Sequence, residues 1–307
     1  MSNINNIDTS DNVHQTACAN CGKEGNSNDM NTCNKCNMVK YCNAACKKKH
    51  RSRHKKQCER RAAELHDEAL FNREPPPREE CPICMIPLPF KVNESTFFPC
   101  CCNTICGGCV YEMYKKEEIL KGNPLCPFCR EPVLTSDEQH IKQISKLVDN
   151  GNAKAVNVLG DSYSRGSLGL TQDYQKANEL FLKAGELGCA DGYRSLGDAY
   201  DRGFGVAANA TKAKYYYELA ALNGSVTARS YLSGVEGRAF KFKRAIQHLL
   251  IAAKAGDEES LDYVKLKFSV GMVTKDEYAN TLRAYHEKQK ETRSDARDKA
   301  AAAGLFS

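Results

Sequence analysis

The feature that most constrains this chain is the placement of its cysteines: all but one of the 17 lie before residue 130, nearly all as closely spaced pairs. The first cluster reads Cys18-x2-Cys21, Cys33-x2-Cys36, Cys42-x3-Cys46 and His54-x3-Cys58; the second reads Cys81-x2-Cys84, Cys100-Cys101-Cys102, Cys106-x2-Cys109 and Cys126-x2-Cys129. A two-residue turn lets two sulfurs converge on one tetrahedral ion, and a three-residue gap spans one helical turn. Segments of this length have too little core to fold without help, so metal binding and folding are one event. Eight ligand positions per cluster imply two zinc ions each, about four per chain.

Composition bounds the rest. All 10 prolines fall between Pro75 and Pro132, so two chemistries share one chain and the fold class is multi-domain. The opening MSNINNIDTS has neither a basic nor an apolar signal region. We therefore expect an intracellular protein, cytoplasmic or nuclear, whose thiols bind metal rather than form disulfides. No stretch approaches the apolar length that spans a bilayer, so no membrane partner is expected. The formal charge is +6. Four Zn²⁺ and their thiolates bring it to about −1.

The first cluster, with Tyr41 before Cys42 and the basic HKKQC ending at Cys58, resembles the MYND zinc finger over residues 18–58. The resemblance implies an interleaved cross-brace, with Cys18, Cys21, Cys42 and Cys46 on one zinc and Cys33, Cys36, His54 and Cys58 on the other. It also implies proline-containing peptides as partners. His50 is the other histidine candidate, but His54 carries the family's spacing to Cys58. The run from Lys47 to Arg61 holds nine Lys/Arg against one acid, Glu59. Without interleaved aromatics it reads as a solvated helix face, and nucleic acid is not an expected partner.

A short helix is expected from Ala62 to Phe71, then a stiff linker, REPPPREE, because prolines remove helical donors and favour extended backbone. The second cluster, CPIC at Cys81 and CPFCR at Cys126, resembles a RING finger over residues 81–130. That implies Cys81, Cys84, Cys106 and Cys109 on one zinc, and Cys126 and Cys129 with two of the triplet on the other. The usual histidine position holds Asn103, a poor zinc ligand. Cys100 pairs with either Cys101 or Cys102, which the sequence leaves open. The resemblance further implies a ubiquitin-conjugating enzyme as partner, met by Ile83, Pro127 and Phe128, with Arg130 as the bridging arginine. Met113 stands where many relatives have tryptophan, a residue this chain lacks. The bland alternative is that these side chains pack on the zinc loops.

From Ala153 the sequence repeats with a period of about 36 residues. The copies are AVNVLGDSY to Gly188, GYRSLGDAY to Gly224, ARSYLSGVE to Gly256 with a shortened turn, and a degenerate fourth from Glu258. Leu159, Leu196 and Leu232 recur in register, as do Ala177, Ala213 and Ala245, which predicts helix-turn-helix units packed through these positions. The consensus resembles Sel1-like repeats, which implies a partner-binding concave surface. Helices from Thr274 to about Glu291 and from Ser294 to Ala303 are expected to cap the array.

The expected organisation is a disordered tail (1–17), a first finger (18–58), a helix and linker (59–80), a second finger (81–130), a connecting segment (131–152), repeats (153–271) and capping helices (272–307). The fold class is thus two small zinc-stapled cross-brace fingers followed by an all-α helix-turn-helix solenoid. No Gly-rich phosphate loop, catalytic triad or open metal site is visible, which argues against small-molecule catalysis. The function expected is recruitment of protein partners, as a RING-type ubiquitin ligase whose repeats select substrate or as a non-catalytic adaptor.

Overall fold

The computed structural model describes residues 15–72, 77–115, 125–134 and 136–304. Most of the expected disordered tail and part of the proline linker lie outside them. The chain divides into two units, Met1–Arg73 and Glu74–Ser307.

In the first unit, strands β1 (Gln15–Ala17) and β2 (Glu24–Asn26) pair antiparallel around the first knuckle, and β3 (Asn31–Thr32) pairs with β4 (Lys40–Tyr41) around the second. Residues 15–17, expected to be disordered, are thus a strand. The knuckle turn folds the chain back on itself, and Cys18 N donates to Lys23 O at 2.9 Å. One helix, α1, runs from Ala44 to Phe71, capped by the Asn43 side chain accepting from Cys46 N. The short helix expected from Ala62 is its second half. Nothing between Ala44 and Phe71 is Gly or Pro, so a helix begun at the Cys42–Cys46 turn has no reason to stop.

The second unit opens with a small finger. Strands β5 (Ser95–Phe98) and β6 (Asn103–Cys106) form a hairpin, followed by helix α2 (Gly107–Lys115). Its core is Leu88, Phe98, Ile105 and Val110 among the cysteines. Residues 78–80, read as linker, belong to the finger: Glu80 bridges to Pro87 and Leu88 N donates to Glu79 O.

The array follows as α3 (Asp137–Asp149), α4 (Ala153–Arg165), α5 (Tyr174–Glu186), α6 (Ala190–Arg202), α7 (Ala210–Leu222), α8 (Val226–Arg238), α9 (Phe242–Lys254), α10 (Glu258–Ser269), α11 (Lys275–Glu291) and α12 (Asp295–Ala302). Successive helices from α3 to α10 pack as neighbours. The segment read as a connector therefore contains α3, an amphipathic helix that buries Ile144 and covers α4. Leu196 and Leu232 are buried, as are Ala177, Ala213 and Ala245. Leu159 is only half-buried. The glycines after Leu159 and Leu196 have a packing cause, since a Cβ on Gly197 would sit 2.6 Å from the Tyr217 ring and one on Gly160 would sit 2.8 Å from Phe181. The α11 helix closes the array through Tyr278, Leu282 and Tyr285 against α9 and α10. The last helix, α12, leaves the array and packs on α2. Among the described residues no helix is long and apolar enough to cross a membrane.

Candidate metal centres

Among the described residues, four side-chain clusters bring their ligand atoms within 4.8 Å of one another: Cys18/Cys21/Cys42/Cys46, Cys33/Cys36/His54/Cys58, Cys81/Cys84/Cys106/Cys109 and Cys100/Cys101/Cys126/Cys129. In both fingers the first and third pairs share one cluster while the second and fourth share the other, so the chain crosses between them.

The dimensions test whether zinc fits. Four sulfurs at about 2.3 Å around a tetrahedral ion stand about 3.8 Å apart, far beyond the roughly 2.05 Å of a disulfide. The observed separations are 3.7 Å for Cys21–Cys42, 3.6 Å for Cys42–Cys46, 3.7 Å for Cys33–Cys58, 3.7 Å for Cys84–Cys106 and 3.8 Å for Cys101–Cys126. Three four-cysteine sets and one three-cysteine-one-histidine set are donor combinations that zinc takes in closed structural sites. The clusters fit about four zinc ions.

In each cluster the thiol held below the ordinary thiol range is the first of an x2 knuckle. Backbone N–H donors from Cys42 and Cys21 hold Cys18 down to about 6. Burial pushes Cys33 up, but the amides of Cys36 and Lys35 outweigh it and bring it to about 6. Cys81 is lowered to about 4, first by the Cys106 side chain and then by the amides of its own knuckle. Cys126 is also lowered, its knuckle amides overcoming burial. Partners pay the complementary cost: Cys42 is raised to about 12 by sharing a hydrogen bond with Cys46, and Cys109 to about 12 by burial. The x2 spacing therefore does more than set a bite distance. It aims amides at one sulfur, adding to the Cys42 amide at Cys18 and the Cys106 side chain at Cys81.

The structure separates the two histidines. His54 Nε2 lies 3.2 Å from Cys36 Sγ, inside the cluster. His50 stacks on the His54 ring at 5.6 Å and meets the Tyr41 hydroxyl at 3.2 Å, so it braces the ligand. Tyr41 is fully buried and packs among Cys18, Cys33, Cys36 and Cys58.

The triplet divides as well. Cys100 and Cys101 join Cys126 and Cys129, with Cys100 3.3 Å from Cys129. Cys102 stands outside the cluster, in left-handed backbone (φ 52) and buried at 4 % exposure. Burial raises its thiol to about 11, against the pull of Lys154. Asn103, at the usual histidine position, lies on β6 opposite Phe98.

The residues expected to meet a conjugating enzyme have different fates. Ile83 is 43 % exposed and Phe128 51 %, so each presents about half its surface to solvent; Met85 and Leu125 are exposed as well. Arg130 is exposed, Pro127 is half-buried, and Met113 is half-buried on α2. A contact invisible to sequence reasoning is Arg297, whose Nη2 lies 3.8 Å from Cys84 Sγ. No local motif marks it, because it lies in the last helix.

Comparison with known families follows these modules. The MYND finger family model matches residues 18–58. The first finger is thus similar to MYND fingers over its whole length. The Sel1 repeat model matches residues 153–189, 190–225 and 228–257. Zinc finger and repeats together make the chain a zinc-binding protein-interaction module. Among solved structures, a Sel1 repeat protein from Oxalobacter formigenes is 19 % identical, covering 59 % of this chain and 71 % of its own, with a TM-score of 0.45. A protective antigen of uropathogenic Escherichia coli strains with an SLR fold, c5321, is 22 % identical, covering 54 % of this chain and 36 % of its own, with a TM-score of 0.44. Among curated proteins none matches the sequence.

Proposed function

We propose that the second finger is a RING-type ubiquitin ligase module and that the Sel1 repeats, with the MYND finger, select what is modified. The observation that carries the reading is the exposure of Ile83 and Phe128, one in each of two zinc knuckles of an interleaved eight-cysteine finger. Large apolar side chains left in water on two knuckles of one small finger offer a partner apolar surface to cover. Such a module has no nucleophile. It binds a ubiquitin-charged conjugating enzyme and restrains the thioester in a reactive posture, which is catalysis by orientation. Arg130 follows the last cysteine with its side chain exposed, and its planar fork suits bridging two proteins at once. Zinc held by these clusters would be structural: each offers four protein ligands, so the metal would fix the knuckles and leave no position for a reactive water.

The test is ubiquitin discharge from a panel of charged conjugating enzymes by the zinc-loaded protein. Discharge should fall at least ten-fold in both Ile83→Ala and Arg130→Ala without loss of zinc. Absence of discharge from every enzyme in the panel would sink the ligase reading. It would leave the second, in which both fingers are interaction surfaces of an adaptor. That reading is favoured by Asn103 and Met113 standing at the histidine and tryptophan positions of many active RING fingers.

A further inference from the structure

The α12 helix leaves the array and packs against α2 of the second finger, where it is held closely. A Cβ on Gly108 of α2 would lie 2.7 Å from Arg297 N and 2.8 Å from Ala296 C, so only glycine allows the two helices to meet at this depth. The approach delivers the Arg297 side chain to the loop after the first knuckle. Its Nη1 donates to Pro87 O at 2.7 Å and to Thr292 O at 2.6 Å, and its Nη2 donates to Ile86 O at 3.2 Å and points at Cys84 Sγ at 3.8 Å. A second arginine stands nearby. Arg78 stacks over Phe90, 3.5 Å from the ring centroid, and donates to Pro89 O at 2.8 Å. Burial and then the charge of Arg297 lower its pKa to about 10.

Two guanidinium groups in one partly buried place repel each other unless negative charge faces them. Four thiolates on one Zn²⁺ carry a net charge of about −2, and Cys84 is one of the four sulfurs gathered at that corner. We infer that Arg297 is a positioning residue of the Cys81/Cys84/Cys106/Cys109 centre. Its fork fixes the backbone of the knuckle through two carbonyls while one N–H shares charge with the Cys84 sulfur. The metal site is thereby completed by a helix 213 residues further along the chain. A lysine could supply the charge but could not span carbonyl, carbonyl and sulfur together. This inference rests on zinc occupying the cluster and is independent of ligase activity.

The experiment is zinc release from the full-length, zinc-loaded chain to a chromophoric chelator, comparing wild type, Arg297→Lys and Arg297→Met, the last keeping the apolar stem without charge. One ion in four should leave Arg297→Met on the order of ten-fold faster, the usual scale for losing an outer-sphere partner, with Arg297→Lys between the two and the other three ions unchanged. In the cobalt-substituted protein the sulfur-to-metal charge-transfer band of one site should move to lower energy in Arg297→Met as the N–H···S contact is lost. Release of all four ions at the wild-type rate from Arg297→Met would overturn the inference, and so would identical release from the lysine and methionine variants. If far-UV circular dichroism shows Arg297→Met misfolded, the cobalt band of Arg297→Lys decides: a shifted band supports the inference and an unshifted one overturns it.

Discussion

Glu236 on α8 is fully buried and still charged. Its carboxylate takes Lys214 Nζ of α7 at 2.8 Å and Arg244 Nε of α9 at 2.8 Å, with Lys241 Nζ at 3.9 Å. It thus ties the second repeat to the third where the helix-to-helix turn shortens to residues 239–241. Burial pushes its pKa up, but the hydrogen bonds from Lys214 and Arg244 outweigh that and hold the carboxyl below its usual range. Glu236→Gln keeps the shape and removes the charge. Breaking one partner out of a buried pair costs about 3–5 kcal/mol. The lower end applies here, because Glu218 remains 3.7 Å from both cations, whose side chains are 26 % and 21 % exposed.

At roughly 2–4 °C per kcal/mol for an array of this size, the variant should melt about 6–12 °C below wild type at pH 7. The sign with pH follows from the lowered pKa. Wild type gains this stability above the unfolded-state value of about 4.3 and loses it as pH falls through the folded value, so the difference between the chains closes in acid. Thermal denaturation followed at 222 nm for both chains across pH 3 to 7 measures it. The difference is the quantity to follow, since thiolate protonation strips zinc from both alike. Melting within 2 °C of wild type at pH 7, or a gap unchanged at pH 3, would refute the reasoning.

Other expectations concern the metal sites and the repeats. Cys102→Ala should retain about four zinc ions by elemental analysis, whereas Cys101→Ala should retain about three, because only Cys101 lies in the cluster. His54→Ala should lose one ion, while His50→Ala should keep all and lower stability by about 1 kcal/mol, the worth of its hydrogen bond to Tyr41; loss of zinc in His50→Ala would mean the ligand is misassigned. Gly197→Ala should destabilise the array by about 1–3 kcal/mol in urea unfolding, because the added methyl must displace the Tyr217 ring.

The ligand pairs were legible because metal geometry is local. Two donors separated by two or three residues meet whatever the rest of the chain does, and the period of the repeats fixed which apolar positions faced inward. The triplet was not legible, since Cys100, Cys101 and Cys102 are chemically identical and differ only in backbone conformation, with Cys102 alone left-handed. The full length of α1 could have been read from the absence of any breaker after Asn43. The α3 helix carried a visible signal, Ser136 as N-cap with Ile141, Ile144 and Val148 at helical spacing, but it matches no repeat and so escaped a reading organised by period. Arg297 had no sequence signal, because its partners are backbone carbonyls and one cysteine more than 200 residues away.

These distant contacts change how the second finger is to be understood. Proline-flanked fingers are ordinarily pictured as beads on a linker, yet this one is fastened to the array at separated points. Lys154 at the start of α4 meets Glu79 at 2.9 Å and Thr104 at 3.1 Å, Phe90 packs onto Gly256 at the end of the third repeat, and Arg297 grips the first knuckle. They are not equal. Lys91–Glu258, at 3.5 Å with both side chains about 60 % exposed, adds little in water. The holding contacts are the Phe90 ring against a residue without a side chain and α12 against Gly108, both of which exclude solvent. A partner bound along the repeats therefore sits at a fixed place relative to Ile83 and Phe128. Orientation of that kind raises effective concentration without any new contact, which serves a ligase that must present a lysine as much as an adaptor that must present a binding face.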